Sequence, residues 1–179
     1  EMDLGVIEAC KRLNGIPYYQ SFFERVWSDS ATPFTLTRSI ASFERSIVGG
    51  TSSFDAFVAG DSNALSDNEQ NGMNLFYSKR LGCETCHSGP LMTNFKIENN
   101  GLNEEYADNG LFRLTLNSED KGKFKVPTLR NIDQSYPYMH DGRFTSLGQV
   151  IDHYSSGGQP HPNRHHSITG FELSEQEKA

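Results

Sequence analysis

No run of apolar residues in this chain approaches the roughly 20 needed to cross a bilayer. Basic residues are outnumbered, 16 Lys and Arg against 23 Asp and Glu, for a net charge of −7. A surface of that sign repels a polyanion, which argues against nucleic acid as a partner and would suit a basic redox protein. Internal repeats and low-complexity tracts are missing. Cysteine is scarce, with three in 179 residues. Cys10 stands alone in an apolar helical pattern and reads as a buried, inert thiol. Only Cys83 and Cys86 form a close pair, and no second pair of similar spacing exists to complete a structural zinc site. A βαβ context, which a thioredoxin-like dithiol wants, is not visible around them either.

What is present is Cys83-Glu84-Thr85-Cys86-His87. Two thiols at this spacing can add across the two vinyl groups of a haem, and the adjacent histidine then falls beneath the iron. That is the attachment signature of a c-type haem; zinc and a bare dithiol stand as the rival readings.

Ahead of this motif the pattern is helical. Asp3 is a fair N-cap for a helix through Leu4, Ile7 and Lys11, with Gly15 as a left-handed C-terminal cap. Pro17 opens a second helix with Tyr18, Phe22, Phe23 and Val26 on its apolar side. After a connection from Ser28 to Pro33, Leu36, Ile40, Phe43 and Ile47 form an amphipathic stripe that Gly49-Gly50 ends. Thr51 to Leu65 reads as a linker, which divides the chain into a helical segment at 1–60 and a haem domain at 61–179.

Ser66-Asp67-Asn68-Glu69 is a capping box opening a helix to about Lys79, with Gly72 and Phe76 on one face. A glycine there lets a second helix approach closely. Ser88 to Asn131 reads mostly as loop, a poor core by itself but a sensible wrapping for a flat apolar cofactor. Ser146 or Thr145 starts a helix from Leu147 to Tyr154, closed by Gly157-Gly158. Ser174 to Glu177 is a further capping box, whose helix is expected to continue past Ala179. Glu1 and Met2 run almost directly into a helix, and the chain is expected to be part of a longer protein.

The side of the iron opposite His87 decides the chemistry. Met139, Tyr154, Met92, His140 and His153 are the candidates. Methionine favours ferrous iron and a high potential, whereas tyrosinate favours ferric or higher-valent iron. Residue chemistry alone favours Met139 over Tyr154, with His140 and His153 as neighbours of the site or surface groups. Packing roles are the plainer readings: an aromatic on a buried helix face for Tyr154, a lining side chain for Met139. His161, His165 and His166 form a loose histidine cluster in what reads as a solvated loop.

Several further blocks occur in one order: Gly72-Met73-Asn74-Leu75-Phe76, the haem motif, Gly89-Pro90-Leu91, Lys125-Val126-Pro127-Thr128-Leu129-Arg130-Asn131, Pro137-Tyr138-Met139-His140-Asp141-Gly142 and Ser146-Leu147. In these the chain resembles the C-terminal, electron-transfer part of the bacterial di-haem cytochrome c peroxidases and their MauG-type relatives. The resemblance implies an all-α fold, a class I cytochrome c-like haem domain with long loops, preceded by three helices from the tail of an N-terminal peroxidatic domain. It implies Cys83 and Cys86 as thioether residues, His87 as proximal ligand and Arg130 as a pocket arginine near the haem propionates. Tyr154 falls where typical peroxidases of the family carry the distal methionine and MauG-type proteins carry tyrosine. The resemblance therefore moves the expected distal ligand to Tyr154, with Met139 as the alternative. It also implies a calcium ion on the backbone carbonyls of Ser135 and Pro137.

The implied enzyme is a cytochrome-c peroxidase that reduces hydrogen peroxide at a second haem, whose motif has no counterpart here. No catalytic residue is then expected in this chain, which alone should be inactive toward peroxide. A small c-type cytochrome or a cupredoxin is the implied electron donor, a homodimer a candidate assembly and the periplasm the implied compartment. MauG-type oxidation of a protein substrate and a non-catalytic electron carrier are the alternatives.

Overall fold

Proline and threonine set the first turns of the N-terminal helices. The computed structural model describes residues 4–47 and 49–178, and these form two compact units, 1–52 and 53–179. In the first unit α1 (Val6–Asn14) follows Gly5; the expected cap Asp3 lies outside the described residues. Gly15 does end α1, but in a right-handed conformation (φ −79°, ψ −7°), not the left-handed one expected. Only Ile16 separates it from Pro17, and a residue before proline is driven extended, so the chain turns there instead.

Helix α2 (Pro17–Trp27) ends at Ser28, which takes the left-handed position (φ 53°). Helix α3 (Pro33–Ser46) starts on a reciprocal cap between Thr32 and Thr35. Cys10, Phe23 and Ala31 form the core of this unit, with Leu13, Trp27 and Leu36 against it. Asn14 fastens the α2–α3 connection by donating to the Ala31 carbonyl (2.9 Å) and accepting from its amide (2.8 Å). Trp27 donates to Ser39 Oγ at 2.9 Å. Of the expected apolar faces, Phe23 is buried, while Tyr18, Phe22, Val26, Ile40, Phe43 and Ile47 are exposed.

The second unit begins inside the expected linker. Helix α4 (Ser53–Val58) forms there, and Asp55 from it pairs with Arg130 at 2.6 Å. Its Ser- and Asp-rich composition hides a helix that a distant partner holds. The boundary expected after residue 60 thus falls beyond a helix grouped with the second unit. Helix α5 (Asp67–Phe76) starts on the Ser66–Glu69 box and stops about one turn short of Lys79. Ser78 there turns its hydroxyl back onto the Leu75 carbonyl (2.6 Å). Gly72 and Phe76 line an apolar groove with Phe54, Met73, Tyr77 and Met92. No atom from outside its own helix backbone comes within 4 Å of the position a Cβ would take on Gly72, so no described residue makes a close helix crossing there.

Beyond the haem motif, β1 (Ile97–Glu98) pairs antiparallel with β2 (Phe124–Lys125), Ile97 opposite Lys125 and Glu98 opposite Phe124; α6 (Phe112–Thr115) lies between them in sequence. The chain is helix-rich with this one short ladder among the described residues, rather than wholly α. Asn99 is fully buried beside it. It donates to the Lys121 carbonyl (3.3 Å), meets His161 Nδ1 (3.2 Å) and accepts from the Gly101 amide (2.8 Å). Gly122 closes this knot at φ +67°, where a Cβ would stand 2.6 Å from both Asn99 Nδ2 and the Tyr106 ring.

Helix α7 (Leu147–Ser155) rises from a Ser146–Gln149 capping box. Helix α8 (Glu175–Lys178) starts on Ser174 as expected, moored by Glu177 to Arg80 and by Lys178 to Asp152 (2.5 Å). Among the described residues no helix is long and apolar enough to cross a membrane.

Candidate haem site

The haem motif folds as one tight turn. Gly82 enters it at φ +67°, Cys83 to Thr85 form a 3-10 turn, and the amides of Cys86 and His87 both reach back to the Cys83 carbonyl (3.2 and 3.0 Å). Three reactive side chains thereby leave a single turn of backbone. Both thiols are half-buried, and that burial pushes each above its ordinary value, so they stay protonated and inert in the bare polypeptide.

His87 is oriented by its own loop. Its Nδ1 lies 3.1 Å from the Met92 carbonyl, which can only accept, so the proton sits on Nδ1 and the Nε2 lone pair is left for a metal. Burial pulls the imidazole below its usual value, which keeps it neutral as a ligand must be. Met92 thus serves through its backbone, while its side chain lines the apolar groove beside α5.

From α7, Tyr154 lies within electrostatic range of both Cys83 and Cys86. Burial raises its phenol above the ordinary value, and a hydrogen bond from the Asn100 side chain counters part of that rise. Met139 is also close: the Asn100 Nδ2 donates to its sulfur at 3.3 Å. Its backbone is left-handed (φ 71°), a conformation that strains a residue with a Cβ. Both expected distal candidates therefore meet one asparagine, which sequence reasoning did not single out.

The other candidates lie elsewhere. His140 stacks on Phe124 at 3.7 Å, and His153 gives Nε2–H to the Asn100 carbonyl at 3.0 Å. His161 is held by Asn99 and Asn163, His165 by Ser167, and no cluster of metal-binding side chains forms among the described residues. Arg130 Nε donates to the Pro90 carbonyl (2.7 Å) and Nη1 to Asp55, with its guanidinium 5.6 Å from the centre of the Phe54 ring. Ser135 closes a short turn, and no hydrogen bond among the described residues ends on the carbonyl of Ser135 or of Pro137.

These residues fit a c-type haem. Two thiols and an imidazole held by backbone carbonyls share a turn, and the Tyr154 phenol lies within electrostatic range of the thiols. The few buried apolar residues of this unit, Leu65, Leu102, Val126 and Tyr138, make no cluster of their own among the described residues. Known proteins agree. A sequence profile for di-haem cytochrome c peroxidase matches residues 1–63. Cytochrome c551 peroxidase of Nitrosomonas europaea is 39% identical over 147 residues, covering 79% of this chain and 43% of that protein. Methylamine utilization protein MauG of Methylorubrum extorquens is 32% identical over 182 residues, covering 99% and 51%. The crystal structure of a MauG-like protein associated with microbial copper homeostasis superposes with a TM-score of 0.82 at 28% identity, covering 98% of this chain and 59% of that one. The chain spans about half the length of the curated relatives it matches. On these likenesses the chain belongs to the di-haem cytochrome c peroxidase and MauG-type family.

Proposed function

We propose that the second unit is the electron-transfer haem domain of a peroxidase-type oxidoreductase, with a class I cytochrome c-like arrangement. The carrying observation is the Cys83–His87 turn with the His87 Nδ1 proton held on the Met92 carbonyl, which readies Nε2 for iron. Cys83 and Cys86 would hold the haem by thioether bonds, His87 on one side of its iron and Tyr154 on the other. Bound there, a haem supplies reversible one-electron transfer. The polypeptide fixes the imidazole, keeps the phenol out of bulk water and wraps the cofactor's edge.

Arg130, tethered to the loop after His87, would set positive charge against a propionate, shared with Asp55. Calcium on the Ser135 and Pro137 carbonyls belongs to the same reading. The profile match over residues 1–63 supports a first unit that belongs to the peroxidatic part of the family. Hydrogen peroxide as substrate, a small c-type cytochrome or cupredoxin as donor, a homodimer and a periplasmic site of action go with it. The chain by itself should then carry electrons without reducing peroxide.

The test is expression of the whole chain in a host with haem-maturation machinery. A covalently bound haem with reversible reduction and little peroxide turnover is expected. A folded, colourless product overturns the reading, and peroxide turnover comparable to that of a two-haem relative overturns the electron-transfer assignment.

Tyr154 favours a second reading, in which the haem pair oxidises a protein substrate at long range, since tyrosinate makes a poor high-potential donor. A sulfur-to-iron charge-transfer band in the far red of the ferric spectrum removes this version. An unchanged spectrum in Tyr154→Phe does the same.

A further inference from the structure

Asn100 contacts Met139 and helix α7, the two places that carry the expected distal ligands. Its Nδ2 donates to Met139 Sδ at 3.3 Å, its backbone carbonyl accepts from His153 Nε2 at 3.0 Å, and its side chain lies near enough to the Tyr154 phenol to counter part of the rise that burial causes. The carbonyl contact ties Asn100 to α7 at the residue before Tyr154, so the amide and the phenol keep a fixed relation. Asn99, the neighbour on the other side of the contact, is fully buried and held by four side-chain hydrogen bonds.

Met139 is equally constrained. It follows the buried Tyr138, which exchanges backbone hydrogen bonds with Phe144 (2.7 and 3.4 Å). Its own carbonyl accepts from the Gly142 amide at 3.2 Å, and its φ of 71° is strained for a residue with a Cβ. A strained loop therefore delivers a thioether to an amide proton. Sulfur so engaged offers less of its lone-pair density to a metal.

We propose that Asn100 is a positioning residue that selects the axial ligand: it holds the Met139 sulfur in a hydrogen bond and leaves the Tyr154 oxygen to take the iron. The proposal rests on the reading that a haem is attached at Cys83 and Cys86 with Tyr154 opposite His87.

The test uses the whole chain, matured with haem, and reads the reduction potential and the ferric far-red spectrum, whose sulfur-to-iron band packing changes alone do not create. Wild type should lack the sulfur-to-iron band. Asn100→Leu, which deletes both N–H groups at similar volume, should acquire that band and shift to a higher potential. The double variant Asn100→Leu/Met139→Leu should lose the band again, which assigns it to Met139. Asn100→Ser tests the same loss with a smaller side chain, should the leucine fail to fold, and the same band is expected. An oxygen-ligated wild type with Asn100 variants of unchanged spectrum and potential overturns the proposal alone. A sulfur band already present in wild type, or an unchanged spectrum in Tyr154→Phe, overturns the tyrosine reading and the proposal with it.

Discussion

Tyr106 donates its phenol proton to Asn99 Oδ1 at 3.1 Å, at a point where Asn99 has no exposed surface. Its hydroxyl also accepts from the amides of Leu102 and Asn103 (3.0 and 3.3 Å), so one aromatic and one amide satisfy a loop that has little apolar packing of its own. Buried groups paired in this way are expensive to leave unpaired.

Replacing Asn99 with Leu should therefore destabilise the second unit by about 3 kcal/mol, since several buried partners lose their bonds together. Urea denaturation of the apo chain, followed through the second unit, would show the midpoint falling. A midpoint within error of wild type would mean the knot contributes nothing.

In the first unit, Asn14→Ala removes both bonds to the Ala31 backbone. A loss of about 1–2 kcal/mol is expected from two part-buried hydrogen bonds. Trp27, the chain's one tryptophan, packs against that unit's core, so its fluorescence reports this transition separately. The same variant should leave the second unit's transition where it was.

Cofactor attachment has its own signature. With Cys83→Ser or Cys86→Ser one sulfur remains, and haem should stay covalently bound through a single thioether. The double variant should release it into acidified organic solvent. Retention of haem in the double variant would refute attachment at this turn.

The capping box of α5 predicts a pH dependence. Hydrogen bonds from Ser66 hold the Glu69 carboxyl below its ordinary value of 4.5. A folded pKa below the unfolded one makes the stabilisation complete above about 4.5, and it is lost as pH falls through the folded value. Glu69→Gln should thus differ from wild type in thermal midpoint near neutrality and converge with it in acid. A difference that grows on acidification would contradict the cap.

Local signals in the chain were legible. Ser66 with Glu69, Ser146 and Ser174 with Glu177 all start helices where the capping pattern put them, because a cap is contained within four residues. Thr32 was less readable, since its reciprocal partner is Thr35 rather than a Glu or Gln. Helix α4 was missed because its hold on the fold comes from Arg130, 75 residues away. The Cys83–His87 pattern proposes its chemistry within a row of five residues. Asn100 proposes none: Asn-Asn-Gly announces a bend, and only folding brings Met139 and Tyr154 to it. The all-α expectation missed the β1–β2 ladder because two-residue strands leave no alternation to detect.

The bond between Arg130 and Asp55 bears on how this protein should be dissected. A clone begun at residue 61, where composition alone would place the junction, discards the carboxylate and strands a half-buried cation beside the segment that follows His87. Starting instead at Gly49 or Gly50 keeps that ion pair intact, and with it the anchorage of the loop that carries Pro90.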